Sequence, residues 1–150
     1  MGRYERILVP TDGSEATREA VEHAADLAAE HDATIHALYV VNSASFAGLP
    51  MDSSWENVSA MLNEEGSTAL DEVAAIADEH GVDAERELAD GNPAREIVRY
   101  AEDADCDLVV MGTHGRGGID RLLLGSVAEK VVRSSSVPVL TVRVDDDGET

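Results

Sequence analysis

Short apolar runs alternate along the chain with segments of helical periodicity, and this order constrains the fold more than any other feature of the sequence. Runs such as Thr34–Val41 and Asp107–Met111 are typical of strands buried on both faces of a parallel sheet. The weaker run Val82–Ala89 alternates with charged residues, which favours a sheet edge. The five predicted strands are Arg6–Val9 followed by Pro10, Thr34–Val41, Val82–Ala89, Asp107–Met111 and Val137–Val144.

Helix signals occupy the segments between these runs. Apolar residues from Ala20 to Ala28 recur at helical spacing, so the first helix is expected to end near His31. A second helix covers the apolar positions from Val58 to Ala77. Asn92 and Pro93 are typical of an N-cap and a first helical position, so they predict the start of a third helix. The fourth is predicted to open at Gly125, with Val127, Ala128, Val131 and Val132 on one face.

Five strands alternating with four helices predict an α/β fold. The expected architecture is an open five-stranded parallel sheet, doubly wound with helices on both faces and joined by right-handed crossovers. Residues 1–150 are expected to form a single domain, because no linker, repeat or low-complexity segment interrupts this order. Asn42–Trp55, with its glycine, proline and serines, is predicted to be an irregular surface loop, and the polar tail Asp145–Thr150 is expected to fray.

The charge balance restricts the partners that the protein can have. The chain carries 31 acidic and 11 basic residues, a formal charge of −20, and Lys130 is the only lysine. Duplex nucleic acid and anionic membranes would repel such a surface. Acid-rich disordered chains lack apolar periodicity, which this sequence has throughout. We therefore interpret the composition as that of a folded protein adapted to molar salt, where charge repulsion is screened.

A single cysteine, Cys106, excludes an internal disulfide and is consistent with a reducing cytosol. It directly precedes an apolar strand, so we expect a buried structural thiol and not a nucleophile. No apolar run is long enough for a signal peptide or a membrane span, and we therefore expect a cytoplasmic protein.

Two loops at predicted carboxyl ends of strands are candidates for a binding site, because ligands of open α/β sheets bind there. The first is Pro10–Gly13. There Asp12 precedes Glu15 by three residues, as in a helix capping box, so a cap is one interpretation of Asp12. The second is the glycine-rich segment 112–118, which is followed by Gly125-Ser126 at a predicted helix start. Glycines permit close approach of the main chain, and helix N-termini suit phosphate.

Local charge agrees with an anion site in the second loop. Residues 108–128 contain Arg116 and Arg121 against Asp120, a local charge of +1, whereas the remaining nine bases and thirty acids sum to −21. Arginines kept in an otherwise acidic chain indicate an anionic ligand. A tight turn without a ligand is the alternative, and the better-known phosphate motifs are absent from the sequence. The residues alone therefore predict an anion site of open identity.

Gly112-x2-Gly115, nine further residues and Gly125-Ser126 resemble the ATP-binding signature of the universal stress protein family. The resemblance extends over essentially the whole chain, through Ile7–Ser14, Asp107–Gly115 and Val137–Val142. It implies a single universal stress protein domain with a Rossmann-like sheet of the adenine nucleotide alpha hydrolase type. The nucleotide-binding residues implied by the resemblance are Pro10, Thr11, Asp12, Val40, Met111, Gly112, Thr113, His114, Gly115, Arg116, Gly125, Ser126, Val127 and Ala128.

The resemblance also implies roles for these residues. Val40 would bind the adenine edge through its backbone, and Asp12 would contact the nucleoside or a metal. Met111, Gly112, Gly115 and Arg116 would lie along the phosphates, and the backbone amides from Gly125 to Val127 would close the cradle. ATP chemistry implies Mg²⁺ bound through the phosphates. His114 is either a phosphate contact or an exposed loop histidine, and Val40 and Met111 would be apolar strand residues in any α/β protein.

Three functions remain open at this stage. The first is an ATP-binding regulatory module of the stress response, which the resemblance implies to be a homodimer paired through Val137–Val144. The second is a slow ATP hydrolase, although no dedicated acid–base pair is evident. The third is a phosphoacceptor receiver domain, which would need clustered acids after the first strand and a lysine after the last. Asp12 stands alone, and Lys130 falls within a predicted helix, so this function ranks last.

Overall fold

The computed structural model describes residues 4–12, 15–41, 53–112 and 127–142, and for residues 15–16 and 53–62 it describes the backbone alone. The elements in chain order are β1 Arg6–Pro10, α1 Glu15–His31, β2 Thr34–Val41, α2 Ser53–Glu79, β3 Ala84–Asp90, α3 Pro93–Asp103, β4 Leu108–Gly112, α4 described over 127–134, and β5 Val139–Val142.

The described strands form one five-stranded sheet in the order β3-β2-β1-β4-β5, and every neighbouring pair is parallel. This confirms the predicted α/β fold with its parallel sheet. β3 lies at one edge, as its charged alternation predicts, and four of its seven residues are exposed in succession from Glu85 to Leu88. β5 lies at the other edge.

Two apolar clusters cover the two faces of the sheet, which confirms that the helices lie on both sides. On one face, α1 and α2 pack against alternate strand residues such as Ile7, Ile35 and Val110. On the other face, α3 and α4 pack against the intervening residues, among them Leu8 and Val109. Small alanines on α1 allow this helix to approach the sheet closely, as expected for a chain with only 3% aromatic residues.

The start of α3 follows the predicted capping chemistry. The Asn92 side-chain oxygen accepts a hydrogen bond of 3.1 Å from the backbone N–H of Arg95, and Pro93 is the first helical residue. This bond satisfies one of the donors that a helix N-terminus leaves without an intrahelical partner. Gly91, just before the cap, has a φ of 152°, a backbone conformation that favours glycine.

The predicted end of the loop Asn42–Trp55 is wrong, because α2 already begins at Ser53. Two serines followed by an acidic residue, Glu56, are compatible with a first helical turn, and the polar composition concealed this start. Residues 42–52 and the predicted tail lie outside the described residues.

Candidate functional site

The strand order reverses direction between β1 and β4. From β1 the chain adds β2 and β3 on one side of the sheet, and β4 and β5 then follow on the other. Helices diverge at such a reversal and leave a crevice beyond the carboxyl ends of the two central strands. Pro10 ends β1 and Gly112 ends β4, so the two loops chosen from the sequence both begin at this crevice.

The backbone of Val40 points towards the same crevice. Backbone groups of successive strand residues face opposite neighbouring strands. The Leu38 carbonyl accepts a 2.9 Å hydrogen bond from the N–H of Thr11, on the β1 side, whereas the Val41 carbonyl accepts one of 2.9 Å from Gly91, on the β3 side. Val40 therefore directs its N–H and C=O to the β1 side, beyond the point where β1 ends. One donor and one acceptor at this place match the edge of an adenine ring.

Asp12 is held against the first turn of α1 by a buried hydroxyl. Thr17 Oγ1 donates a 2.6 Å hydrogen bond to Asp12 Oδ1, and Thr17 is only 2% exposed. α1 is described from Glu15 onwards, and Gly13 and Ser14 lie outside the described residues, so the capping box led by Asp12 stays a prediction. The hydrogen bond that the structure describes holds the carboxylate through the side chain of a residue within the helix.

The predicted site residues at the end of β4 and the start of α4 differ in their burial. Met111 is 1% exposed and packs with Leu8 and Leu38 in the core, so only its backbone could reach a ligand. Gly112 is an extended strand residue in register with Val142. Ala128 is buried in the same cluster as Met111, and Val127 is half-buried against it.

Six predicted nucleotide-binding residues lie outside the described residues, and their roles stay predictions. They are Thr113, His114, Gly115, Arg116, Gly125 and Ser126. The described ends on either side, Gly112 and Val127, belong to β4 and α4.

Sequence reasoning missed two neighbours of the crevice. Thr17 is a polar residue on the otherwise apolar buried face of α1, and this exception was the available signal. The turn Asp90–Asn92 is tied to the end of β2 by the hydrogen bond from Gly91 to Val41, which places the turn at the carboxyl edge beside Val40. The sequence marked Asn92 only as a helix cap.

Burial disfavours the charged forms of Cys106 and Tyr100, two side chains that can act in catalysis. Cys106 is 5% exposed, and burial raises the pKa of its thiol to about 11, which agrees with the predicted structural cysteine. Burial also raises the pKa of Tyr100 to about 12. Among the described residues there is no group of three or more histidine, cysteine or acidic side chains arranged to hold a metal ion. No helix in the described segments is long and apolar enough to cross a membrane.

The sequence profile described as the universal stress protein family matches residues 3–143. The chain belongs to the universal stress protein family. This membership covers the sheet, the crevice and the loops on both sides of it.

One relative by sequence and two solved structures illustrate the similarity. The chain is 49% identical to universal stress protein MJ0531 of Methanocaldococcus jannaschii over 93% of this chain and 82% of that protein. The solved structure of MJ0577, a protein of the same organism, superposes with a TM-score of 0.81 at 30% identity, covering 95% of this chain and 97% of the other. A universal stress protein crystallised in complex with cAMP has a TM-score of 0.71 at 28% identity, covering 93% and 97%.

Proposed function

We propose that this universal stress protein is an ATP-binding regulatory module of the stress response. The observation that carries the proposal is the direction of the Val40 backbone, whose N–H and C=O face the crevice between the ends of β1 and β4. In the proposed complex Val40 binds the adenine edge, and the segment from Gly112 to Ser126 holds the phosphates.

Similarity to other proteins supports an adenine nucleotide as the ligand. The relative in complex with cAMP shares the fold of this chain at 28% identity. The triphosphate preference rests on the sequence motif, because Gly112-x2-Gly115 and Gly125-Ser126 supply backbone amides and Arg116 supplies a cation for additional phosphates. We propose that Mg²⁺ enters with the nucleotide through its phosphates, with Asp12 as a nearby carboxylate.

Calorimetry with two glycine variants tests the proposal. Gly115→Val introduces a side chain at a glycine of the motif. Gly117→Val is the control, because it makes the same change at a glycine outside the motif in the same predicted loop. We expect ATP-Mg²⁺ to bind the parent and Gly117→Val and to fail with Gly115→Val, while circular dichroism shows all three folded. Equal ATP affinity in both variants would refute the phosphate cradle.

Comparison of ligands distinguishes a site that prefers ATP from a site that binds any adenine nucleotide. ATP, AMP and cAMP are titrated into the parent chain under the same conditions. Tighter binding of ATP supports the triphosphate cradle, since each added phosphate gains contacts with the loop. Equal or weaker binding of ATP than of AMP would leave a nucleotide site but remove the ATP preference.

The receiver domain loses support from the fold. Receiver domains have the strand order 2-1-3-4-5, whereas this sheet has the order 3-2-1-4-5. Lys130 lies in α4, which precedes β5 in the sequence, so it is not a lysine that follows the last strand. None of the described residues favours the slow ATP hydrolase over binding alone, so we retain binding as the proposal.

The remaining parts of the proposal concern the whole protein. We propose a single-domain, cytosolic protein from a salt-rich environment that forms a homodimer through Val137–Val144. The described part of this segment, β5, is an edge strand, and an apolar edge favours pairing with a second strand. Sedimentation equilibrium in molar salt measures the mass, and a monomer at all concentrations would refute the dimer.

A further inference from the structure

A polar groove lies at the amino ends of the strands, whereas the proposed nucleotide site lies at their carboxyl ends. It has a volume of about 530 Å³, and its walls come from the amino ends of three strands and the end of α1. Glu5 and Arg6 lie at the start of β1, Asp32 follows α1, and His36 and Glu85 belong to β2 and β3. We call it the amino-edge groove. The length of β2 separates it from Val40, so a ligand here would not compete with a nucleotide.

The charge of the amino-edge groove favours a cation. Its lining contains the carboxylates of Glu5, Asp32 and Glu85 against the single guanidinium of Arg6, together with two histidines and a threonine. With neutral imidazoles the lining carries a charge of −2, within a protein whose formal charge is −20. An anion would be repelled both by the groove and by the protein as a whole.

His36 adds a buried polar atom to this acidic lining. The residue is 8% exposed, and the only hydrogen bond that its side chain forms among the described residues joins Nδ1 to the Tyr100 hydroxyl at 3.0 Å. The other ring nitrogen, Nε2, therefore remains for a ligand of the groove. The pKa of His36 is lowered overall: burial lowers it most, the charge of Glu85 opposes this effect, and the charge of Arg6 adds to it. The ring is therefore neutral at neutral pH. When Nδ1 carries the proton and donates it to Tyr100, Nε2 is a hydrogen-bond acceptor.

Glu85 is placed to act together with His36. The two residues are direct register partners on β2 and β3, and their side chains therefore project from the same face of the sheet. A single ammonium group can donate one N–H to an imidazole nitrogen and another to a carboxylate, because it has three donors. The acids Glu5 and Asp32 elsewhere in the groove can accept from a second cationic group.

We propose that the amino-edge groove binds a small linear organic diamine. One ammonium group contacts Glu85 and His36 Nε2, and the other contacts the remaining carboxylates of the groove. The absence of a three-ligand metal cluster among the described residues favours an organic cation over a transition metal.

Titration calorimetry with 1,4-diaminobutane tests this site. Two four-carbon compounds serve as ligand controls: 1,4-butanediol lacks the charges, and succinate reverses them. Glu85→Gln removes one groove carboxylate, and Glu87→Gln is the matched control, since Glu87 lies two residues further along the same face of β3 and does not line the groove. All titrations use the lowest salt concentration at which circular dichroism shows the three chains equally folded, because salt screens the interaction.

We expect saturable binding of the diamine and none of the diol or succinate. Glu85→Gln should raise the dissociation constant about two- to fivefold, as for an exposed ion pair, and Glu87→Gln should leave it unchanged. The imidazole NMR signal of His36, assigned with His36→Gln, should shift on binding in the parent chain. Equal weakening in Glu85→Gln and Glu87→Gln would reveal diffuse attraction to an acidic surface, and that result, or no binding at all, would overturn the proposal.

Discussion

Thr17 lies on the buried face of α1, where its neighbours Ala20, Val21 and Ala24 are all apolar. Burial of a hydroxyl is unfavourable unless it forms a hydrogen bond, and Asp12 accepts that bond at 2.6 Å. The bond fixes a carboxylate at the mouth of the crevice, immediately after β1. We therefore regard Thr17 as a positioning residue for Asp12.

Thr17→Val tests this role, because valine keeps the shape of threonine and removes only the donor. We expect a loss of about 1–2 kcal/mol in the free energy of unfolding, since the bond has a charged acceptor. ATP affinity should fall as Asp12 loses its fixed orientation. Urea titration and calorimetry measure the two effects.

Thr68→Val is the matched control for this change. The Thr68 hydroxyl donates to the Glu64 carbonyl at 3.0 Å on the exposed side of α2, far in sequence from the crevice. We expect its effect to be below about 0.5 kcal/mol, as for surface substitutions, with unchanged ATP affinity. Equal effects of the two variants on ATP binding would rule out a specific role for Thr17.

The packing of α2 on the sheet depends on a glycine. Gly66 is buried, and a Cβ atom there would lie 2.6 Å from Leu88 Cδ1 and 2.9 Å from Tyr39 Cδ1. The Leu88 side chain is 38% exposed and can turn away, whereas the Tyr39 ring is 9% exposed and held in the core. The contact with Tyr39 therefore limits what can replace Gly66.

Gly66→Ala should make the protein less stable by about 1 kcal/mol, because overpacking outweighs the gain in helix propensity. Ser67→Ala, at the adjacent exposed position, gains propensity without a clash and should be slightly stabilising. Urea unfolding of both variants measures the difference. If Gly66→Ala proves more stable than the parent, α2 does not pack this closely on β2.

β2 and α3 are joined by the hydrogen bond between His36 and Tyr100, and the burial of His36 between them makes stability depend on pH. Burial lowers the pKa of His36 in the folded protein, with opposing contributions from Glu85 and Arg6, whereas the unfolded chain has the ordinary value of about 6.5. Below that value the unfolded state binds a proton that the folded state does not. Stability is therefore lost as the pH falls from about 6.5 towards the lower, folded pKa.

The prediction is a loss of at most about 1.4 kcal/mol from His36 between pH 6.5 and 5.5. His36→Gln should lack this component, and His23→Gln, at an exposed position of α1, should retain it. Denaturant titrations at the two pH values give the free energies. An identical pH dependence in the parent and His36→Gln would show that His36 titrates alike in both states.

The elements that the sequence predicts best are those with a strong local signal. The charged alternation of Val82–Ala89 identified the sheet edge, and Asn92-Pro93 identified the start of α3. The start of α2 at Ser53 was missed, because serines suit both loops and first helical turns. The pattern could not single out Val40, since the direction of its backbone follows from the register of β2 with β1.

At the scale of the whole molecule, charge is the dominant feature. Four of the six arginines among the described residues pair with acids, as Arg86 does with Asp71 between β3 and α2 and Arg133 with Glu129 within α4. Such pairs cannot balance 31 acids with 11 bases, so a charge of −20 remains. Self-repulsion of this kind opposes the compact state unless salt screens it.

We predict that the melting temperature falls when KCl is reduced from about 2 M to about 0.1 M, where the Debye length increases to about 10 Å. Circular dichroism during thermal unfolding at several salt concentrations measures the change. A melting temperature independent of salt would contradict adaptation to a salt-rich environment, and it would leave the fold and the proposed nucleotide site unaffected.

Identification of the nucleotide that the protein carries is the most direct test of the account. The protein is purified in molar salt and denatured, and the released small molecules are separated by chromatography and identified by mass. We predict close to one adenine nucleotide per chain, found as ATP, or as ADP with phosphate if the protein turns it over. If no nucleotide is released and ATP-Mg²⁺ shows no binding in calorimetry, the crevice between β1 and β4 is not an ATP site.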